Sequence, residues 1–187
     1  FPGLPLIFFG HSMGSFIARE YIRRYGSDER LKGAIICGTS GRNPAAPIAI
    51  TIAGAVAKAK GSRHKSKFID KLTSDHDEVE KYIADKYCGF LFTAAGYKDL
   101  FTVLNRVSGK DWFEQVYEGL PIFLIAGEDD PVGQYGAGVK QVYNDLKLAG
   151  KKDVTIKLYP HMRHEILNEV GKDEVYNDIA AWCAKKI

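Results

Sequence analysis

Leu4-Pro5-Leu6-Ile7-Phe8-Phe9-Gly10-His11-Ser12-Met13-Gly14 is the stretch whose reading decides the fold. Its apolar run, closed by Gly10, suits a strand buried on both faces, as in a parallel sheet. Phe16, Ile17, Glu20, Tyr21 and Arg24 then recur at helical spacing, and Gly26 ends the segment. Between strand and helix lies G-x-S-x-G, which in this context predicts a sharp elbow carrying Ser12 at the helix N-terminus. The flanking Gly10 and Gly14 are expected to remove Cβ atoms that would clash in so tight a turn. The Met13 N–H is then placed to stabilise an oxyanion.

Working outward, Gly33–Gly38, Pro121–Gly127 and Val154–Tyr159 read as three more strands. Helical patterns follow the last two, over Tyr135–Leu148 and Lys172–Lys186. Strands alternating with helices predict βαβ units and an α/β fold. Residues 41–120 break the rhythm. Pro47–Lys60 is rich in Ala and Ile, Ser74-Asp75-His76-Asp77 resembles a capping box opening a helix over Glu78–Tyr87, and Tyr97–Val107 and Asp111–Gly119 also read as helical. The expected organisation is a core over 1–40, a helical cap over 41–120 and a returning core over 121–187. An insertion at that point in a parallel sheet covers the site at the strands' C-terminal ends.

Composition narrows the function classes. Lys and Arg number 26 against 23 Asp and Glu, a net charge of +3 that gives no ground for a nucleic-acid partner. Hydrophobic residues make up 45% and charged residues 26% of the 187, the balance of a globular chain. Cys37, Cys88 and Cys183 are widely spaced and odd in number, which fits a reducing, cytoplasmic compartment better than a disulfide framework. No apolar run reaches the ~18 residues needed to span a bilayer.

A serine on such an elbow calls for an acid and then a histidine later in the chain. Gly127-Glu128-Asp129-Asp130-Pro131-Val132-Gly133 follows the third strand, and Tyr159-Pro160-His161-Met162-Arg163-His164-Glu165 follows the last. Chain position alone leaves Asp129 and Asp130, and His161 and His164, as competitors. His11 is expected to be a packed histidine directed away from Ser12. Glu165 and Glu169 read as helix-start and surface groups. His64 and His76 fall in the insertion; His76 beside Asp77 hints at a metal pair, but no further ligands stand at usable spacing, and a solvated helix start is the expectation. No cofactor is implied. Lys58, Lys60, Arg63, Lys65, Lys67 and Lys71 form a basic run, read first as a solvated face and second as an attraction for anionic headgroups at a membrane surface. Ile48, Ile50, Ile52 and Val56, with Phe90, Leu91 and Phe92, read as lid core or as the lining of an acyl pocket.

Taken together, Gly10–Gly14, Gly127–Gly133 and Arg163-His164-Glu165-Ile166-Leu167-Asn168-Glu169 resemble the lysophospholipase or monoacylglycerol-lipase-like branch of the α/β-hydrolases, often labelled serine aminopeptidase-like. The similarity runs from Leu4 to the C-terminus and is weakest between Gly41 and Lys71. It implies that the acid is Asp130, directly before Pro131-Val132, and that the base is His164, between Arg163 and Glu165. It implies a serine hydrolase acting on acyl esters, with peptide cleavage from a free N-terminus, or a non-catalytic module of the same fold, as alternatives. Only eleven residues precede Ser12 (12 − 1 = 11). The resemblance therefore also implies early strands upstream, one of which supplies a second oxyanion donor, with these residues the C-terminal part of a longer hydrolase.

Overall fold

A computed structural model describes residues 3–42, 72–88, 93–109 and 111–187. The expected apolar lining at Ile48, Ile50, Ile52, Val56 and Phe90–Phe92, the basic run from Lys58 to Lys71, and His64 lie outside the described residues. Four strands, β1 (Leu6–His11), β2 (Leu31–Cys37), β3 (Ile122–Gly127) and β4 (Val154–Tyr159), form one parallel sheet in the order β1-β2-β3-β4. The helices are α1 (Met13–Tyr25), α2 (His76–Ala84), α3 (Ala94–Ser108), α4 (Ala137–Leu148) and α5 (Lys172–Ala184). This is the α/β-hydrolase architecture, of which the chain carries a part.

Alternation along β2 and β3 sends successive side chains to opposite faces of the sheet. Ala34, Ile36, Ile122 and Leu124 pack with Ile22 of α1 and Val139, Val142 and Leu146 of α4. Ile35, Cys37, Phe123 and Ile125 pack on the other face with Val175 and Trp182 of α5. Burial on both faces is why these strands read as continuous apolar runs.

β1 departs from that expectation. Only its Gly10 is buried, and Leu6 and Phe9 are 44% and 39% exposed. Among the described residues it pairs with β2 alone. Asp111–Gly119 is a run of turns, not a helix. Trp112, Val116 and Leu120 are buried at helical spacing, but the bonds given, Val116 N–H to Phe113 O and Leu120 N–H to Tyr117 O, are of the i to i−3 kind, both 3.3 Å. α2 stops at Ala84 because Asp85 is extended and its carboxylate accepts from the Tyr87 N–H at 2.8 Å. α4 begins at Ala137, not Tyr135, because Gln134, Tyr135 and Gly136 all have positive φ. No helix among the described residues is long and apolar enough to cross a membrane.

Arg19 joins the elbow helix to its surroundings. The side chain lies on the face of α1 that also carries Phe16 and Ile22, and it is 1% exposed. It donates to Ser40 O at 2.8 Å, to Thr39 Oγ1 at 3.3 Å and to Val107 O at the end of α3. Its guanidinium lies 4.3 Å from the Trp112 ring centre. Burial pulls its pKa down to about 9, with the charge of Asp145 opposing, so it stays charged at neutral pH. Arg19→Ala strands the Ser40 and Val107 carbonyls and leaves a void, and is expected to cost about 3 kcal/mol. Arg19→Lys is expected to recover only part of this, because an ammonium lacks the planar fork that reaches these acceptors and stacks on Trp112. Urea unfolding checks both, read as a fall in the midpoint at unchanged slope.

Candidate active site

The C-terminal ends of β1, β3 and β4 bring Ser12, Asp130 and His164 together. Ser12 follows β1 directly and has φ 55° and ψ −120°, a strained conformation for a residue with a Cβ. Its N–H donates to Cys37 O at 3.0 Å, tying the elbow to the end of β2, and its carbonyl accepts from Ser15 Oγ at 2.6 Å. Gly10 meets the steric expectation, since a Cβ there would lie 2.3 Å from the Gly14 carbonyl oxygen and 2.9 Å from Ala18 Cβ. Gly14 does not. Among the described residues a Cβ at Gly14 meets nothing within 4 Å, and what the turn needs is the approach of the Gly14 backbone to Gly10. Met13 opens α1, so its N–H belongs to the first turn of the helix, where backbone donors have no intrahelical acceptor.

Asp130 is fully buried. Its Oδ1 accepts from the Val132 N–H at 2.8 Å, and its Oδ2 lies 3.0 Å from His164 Nδ1. His164 Nε2 lies 2.8 Å from Ser12 Oγ. An ionised carboxylate only accepts, so Nδ1 carries the imidazole proton and Nε2 offers its lone pair to the serine hydroxyl. Burial acts most strongly on His164 and pulls its pKa down. The hydrogen bond and charge of Asp130, with the charge of Glu165, outweigh it, and the net shift is upward. Asp129 is exposed, with its N–H on Met162 O, and His161 is an exposed turn residue with φ 61°.

His11 is packed as expected, and its neighbour is His164: the ring centres are 4.8 Å apart and His11 Nε2–H donates to the His164 carbonyl at 3.2 Å. Burial lowers the pKa of His11, with Glu165 opposing, which favours the neutral ring. Two other residues stand differently from expectation. Glu169 is not a surface group. It is 1% exposed and accepts from the Arg163 N–H at 2.9 Å and from Ser74. The capping box is shifted by one residue, since Asp75 caps α2 through Asp77 N and Glu78 N while Ser74 turns to Glu169.

The sequence reading missed Gly38. It sits at the end of β2 with φ 60°, and a Cβ there would lie 2.9 Å from His164 Cε1. A glycine at a strand end facing the elbow was the available signal. Ligand atoms of His11, His164 and Glu165 lie within 4.8 Å of one another. A cation there would have to take a His164 nitrogen from Asp130 or Ser12. His76 and Asp77 are exposed at the start of α2, in keeping with a solvated helix start.

The serine aminopeptidase S33 family profile matches residues 1–171. A monoacylglycerol lipase of Mycolicibacterium smegmatis is 25% identical over 187 residues, covering 97% of this chain and 62% of that protein. A highly thermostable carboxyl esterase from Bacillus coagulans, solved in complex with glycerol, superposes with a TM-score of 0.81 at 34% identity, over 99% of this chain and 66% of that one. A soluble variant of monoglyceride lipase from Saccharomyces cerevisiae shares the fold, with a TM-score of 0.75 at 22% identity over 98% of this chain and 63% of that one. The chain thus spans just under two thirds of the length of these relatives. A family match of that extent, on this sheet, leaves one assignment: the chain belongs to the serine aminopeptidase S33 family, within the α/β-hydrolases and on the side of them that the monoacylglycerol lipases occupy.

Proposed function

We propose that the protein is a serine hydrolase of carboxylic esters with acyl chains, such as monoacylglycerols or lysophospholipids. The observation that carries this reading is the unbroken line Ser12 Oγ, His164 Nε2, His164 Nδ1, Asp130 Oδ2, with links of 2.8 and 3.0 Å. The names of the related lipase and esterase support the substrate class. In this mechanism Ser12 Oγ attacks the ester carbonyl as its proton passes to His164 Nε2. Asp130 holds the ring and stabilises the imidazolium, and the Met13 N–H donates to the oxyanion. As the intermediate collapses, His164 returns the proton to the departing alcohol and the acyl group stays on Ser12. Water then enters, gives a proton to His164 and releases the acid as Ser12 recovers its hydroxyl.

In the same reading residues 41–120 are a cap over the strand ends, a transient contact with a membrane surface delivers the lipid, a segment upstream of Leu4 supplies the second oxyanion donor, and the compartment is cytoplasmic.

A second reading, hydrolysis of a peptide bond next to a free N-terminus, has one observation in its favour. Glu78, Asp85 and Glu165 line a cavity of about 230 Å³ next to the loop that carries His164, with Lys81 paired to Glu78, and a carboxylate-rich lining suits an amine.

A fluorophosphonate is expected to label the intact protein on Ser12, and labelling that survives in Ser12→Ala would overturn the assignment. Asp130→Asn is expected to lower kcat by roughly 10⁴-fold through loss of the productive tautomer. The exposed Asp129→Asn is expected to leave turnover nearly unchanged. Because the base works neutral and its pKa is raised, kcat/KM is expected to rise with pH through a midpoint above ~6.5, the ordinary histidine value. A pH–rate profile checks the direction.

On a panel of p-nitrophenyl esters, monoacylglycerols and aminoacyl amides, kcat/KM is expected to climb with acyl length, since each buried methylene contributes roughly 0.8 kcal/mol. Flat rates on esters alongside efficient turnover of aminoacyl amides would instead favour the peptide reading.

A further inference from the structure

Glu169 is a buried carboxylate that the proposed chemistry does not use. Each of its oxygens accepts from the Ser74 N–H at 3.0 Å, Oε2 also accepts from Ser74 Oγ, and Oε1 accepts from the Arg163 N–H at 2.9 Å. These donors come from two segments far apart in the chain: one leads into α2, and the other immediately precedes His164. Two further bonds join the same segments. The Glu165 N–H donates to Leu72 O at 2.8 Å, and Arg163 Nη1 donates to Thr73 O at 3.1 Å. The backbone N–H groups on both sides of His164 are therefore both held, that of Arg163 by Glu169 further along the same loop, which Ser74 also engages, and that of Glu165 by Leu72 from the distant segment.

From this arrangement we infer that Glu169 is a positioning residue for His164, and that it couples the seating of residues 72–84 to the placement of the imidazole. The inference rests on His164 being the base. A carboxylate with so little exposure is retained where several donors converge on it, and here they converge from the two segments that must meet. If the latch is weakened, the Arg163–Glu165 backbone relaxes and the ring loses its fit between Asp130 and Ser12. A misplacement of about 1 Å is enough to lower turnover roughly 10²-fold.

The test uses the intact protein, with active sites counted by fluorophosphonate so that rates are per competent site. Glu169→Gln replaces one acceptor oxygen by a donor amide, and Ser74→Ala removes one donor from the other side. Glu169→Gln is expected to lower kcat per site by roughly 10²-fold with little change in KM. It is also expected to move the acid limb of kcat/KM to lower pH. Asp130, Glu165 and His11 are the titratable groups facing His164, and a displaced ring keeps its burial while losing the bond to Asp130. Ser74→Ala is expected to show both effects in smaller measure, and decides the matter by itself if Glu169→Gln does not fold. A lowered melting temperature with unchanged per-site kcat and pH profile would overturn the inference, because a merely structural role moves stability alone. Turnover retained in His164→Ala would overturn the base assignment, a result separate from failure of the latch.

Discussion

The bond between the Asp130 carboxylate and His164 Nδ1 is the contact on which the site depends. Burying a charged carboxylate costs several kcal/mol unless its lone pairs are met, and Asp130 meets them with the Val132 N–H and the imidazole. That pairing fixes the tautomer of His164 and leaves the Nε2 lone pair directed at Ser12. A short acidic side chain and an imidazole can be joined in this way only if the ends of β3 and β4 lie side by side. The parallel register, with Gly127 opposite Tyr159, provides that. The serine enters from β1 across the end of β2, so strand order and chemistry are one constraint.

Close approach is the second theme. The elbow exists because Gly10 admits the Gly14 backbone, and the imidazole has its place because Gly38 presents no side chain to it. β2 contributes no reacting group. Its part is an acceptor for the Ser12 N–H at Cys37 and a gap at Gly38. Packed interiors leave little slack, so such gaps are as specific as contacts.

The region between β2 and β3 meets the rest of the structure at several places among the described residues, two of which lie next to the site. Phe16 of α1 packs with Leu100, Leu104 and Val107 of α3, and Arg19 donates to the Val107 carbonyl beside them. At the other place residues 72–74 meet the loop that carries His164. One attachment sits behind the nucleophile and the other behind the base.

Four strands, the elbow at Ser12 and the loops that carry Asp130 and His164 were legible in the amino-acid sequence because each signal is local, while the choice of Asp130 over Asp129 and of His164 over His161 came from the family resemblance. A strand buried on both faces must be a continuous apolar run, an elbow must be rich in glycine, and loop residues fall where strands end. Where local and tertiary demands diverged, the reading failed. Trp112, Val116 and Leu120 keep helical spacing because three buried anchors suit turns as well as a helix. Arg19 and Glu169 carry polar side chains that look solvated in a linear chain. Arg19 is held by partners 20, 21 and 88 residues away, and Glu169 by Ser74, 95 residues away, together with Arg163 in its own loop. The sequence by itself determined the strands, the loops that carry Ser12, Asp130 and His164, and their order, since these follow from periodicity and short-range sterics. The protonation geometry of His164, the gap at Gly38 and the burial of Glu169 were decided only in the folded state, because they depend on which distant donors and backbones the sheet brings within hydrogen-bonding reach.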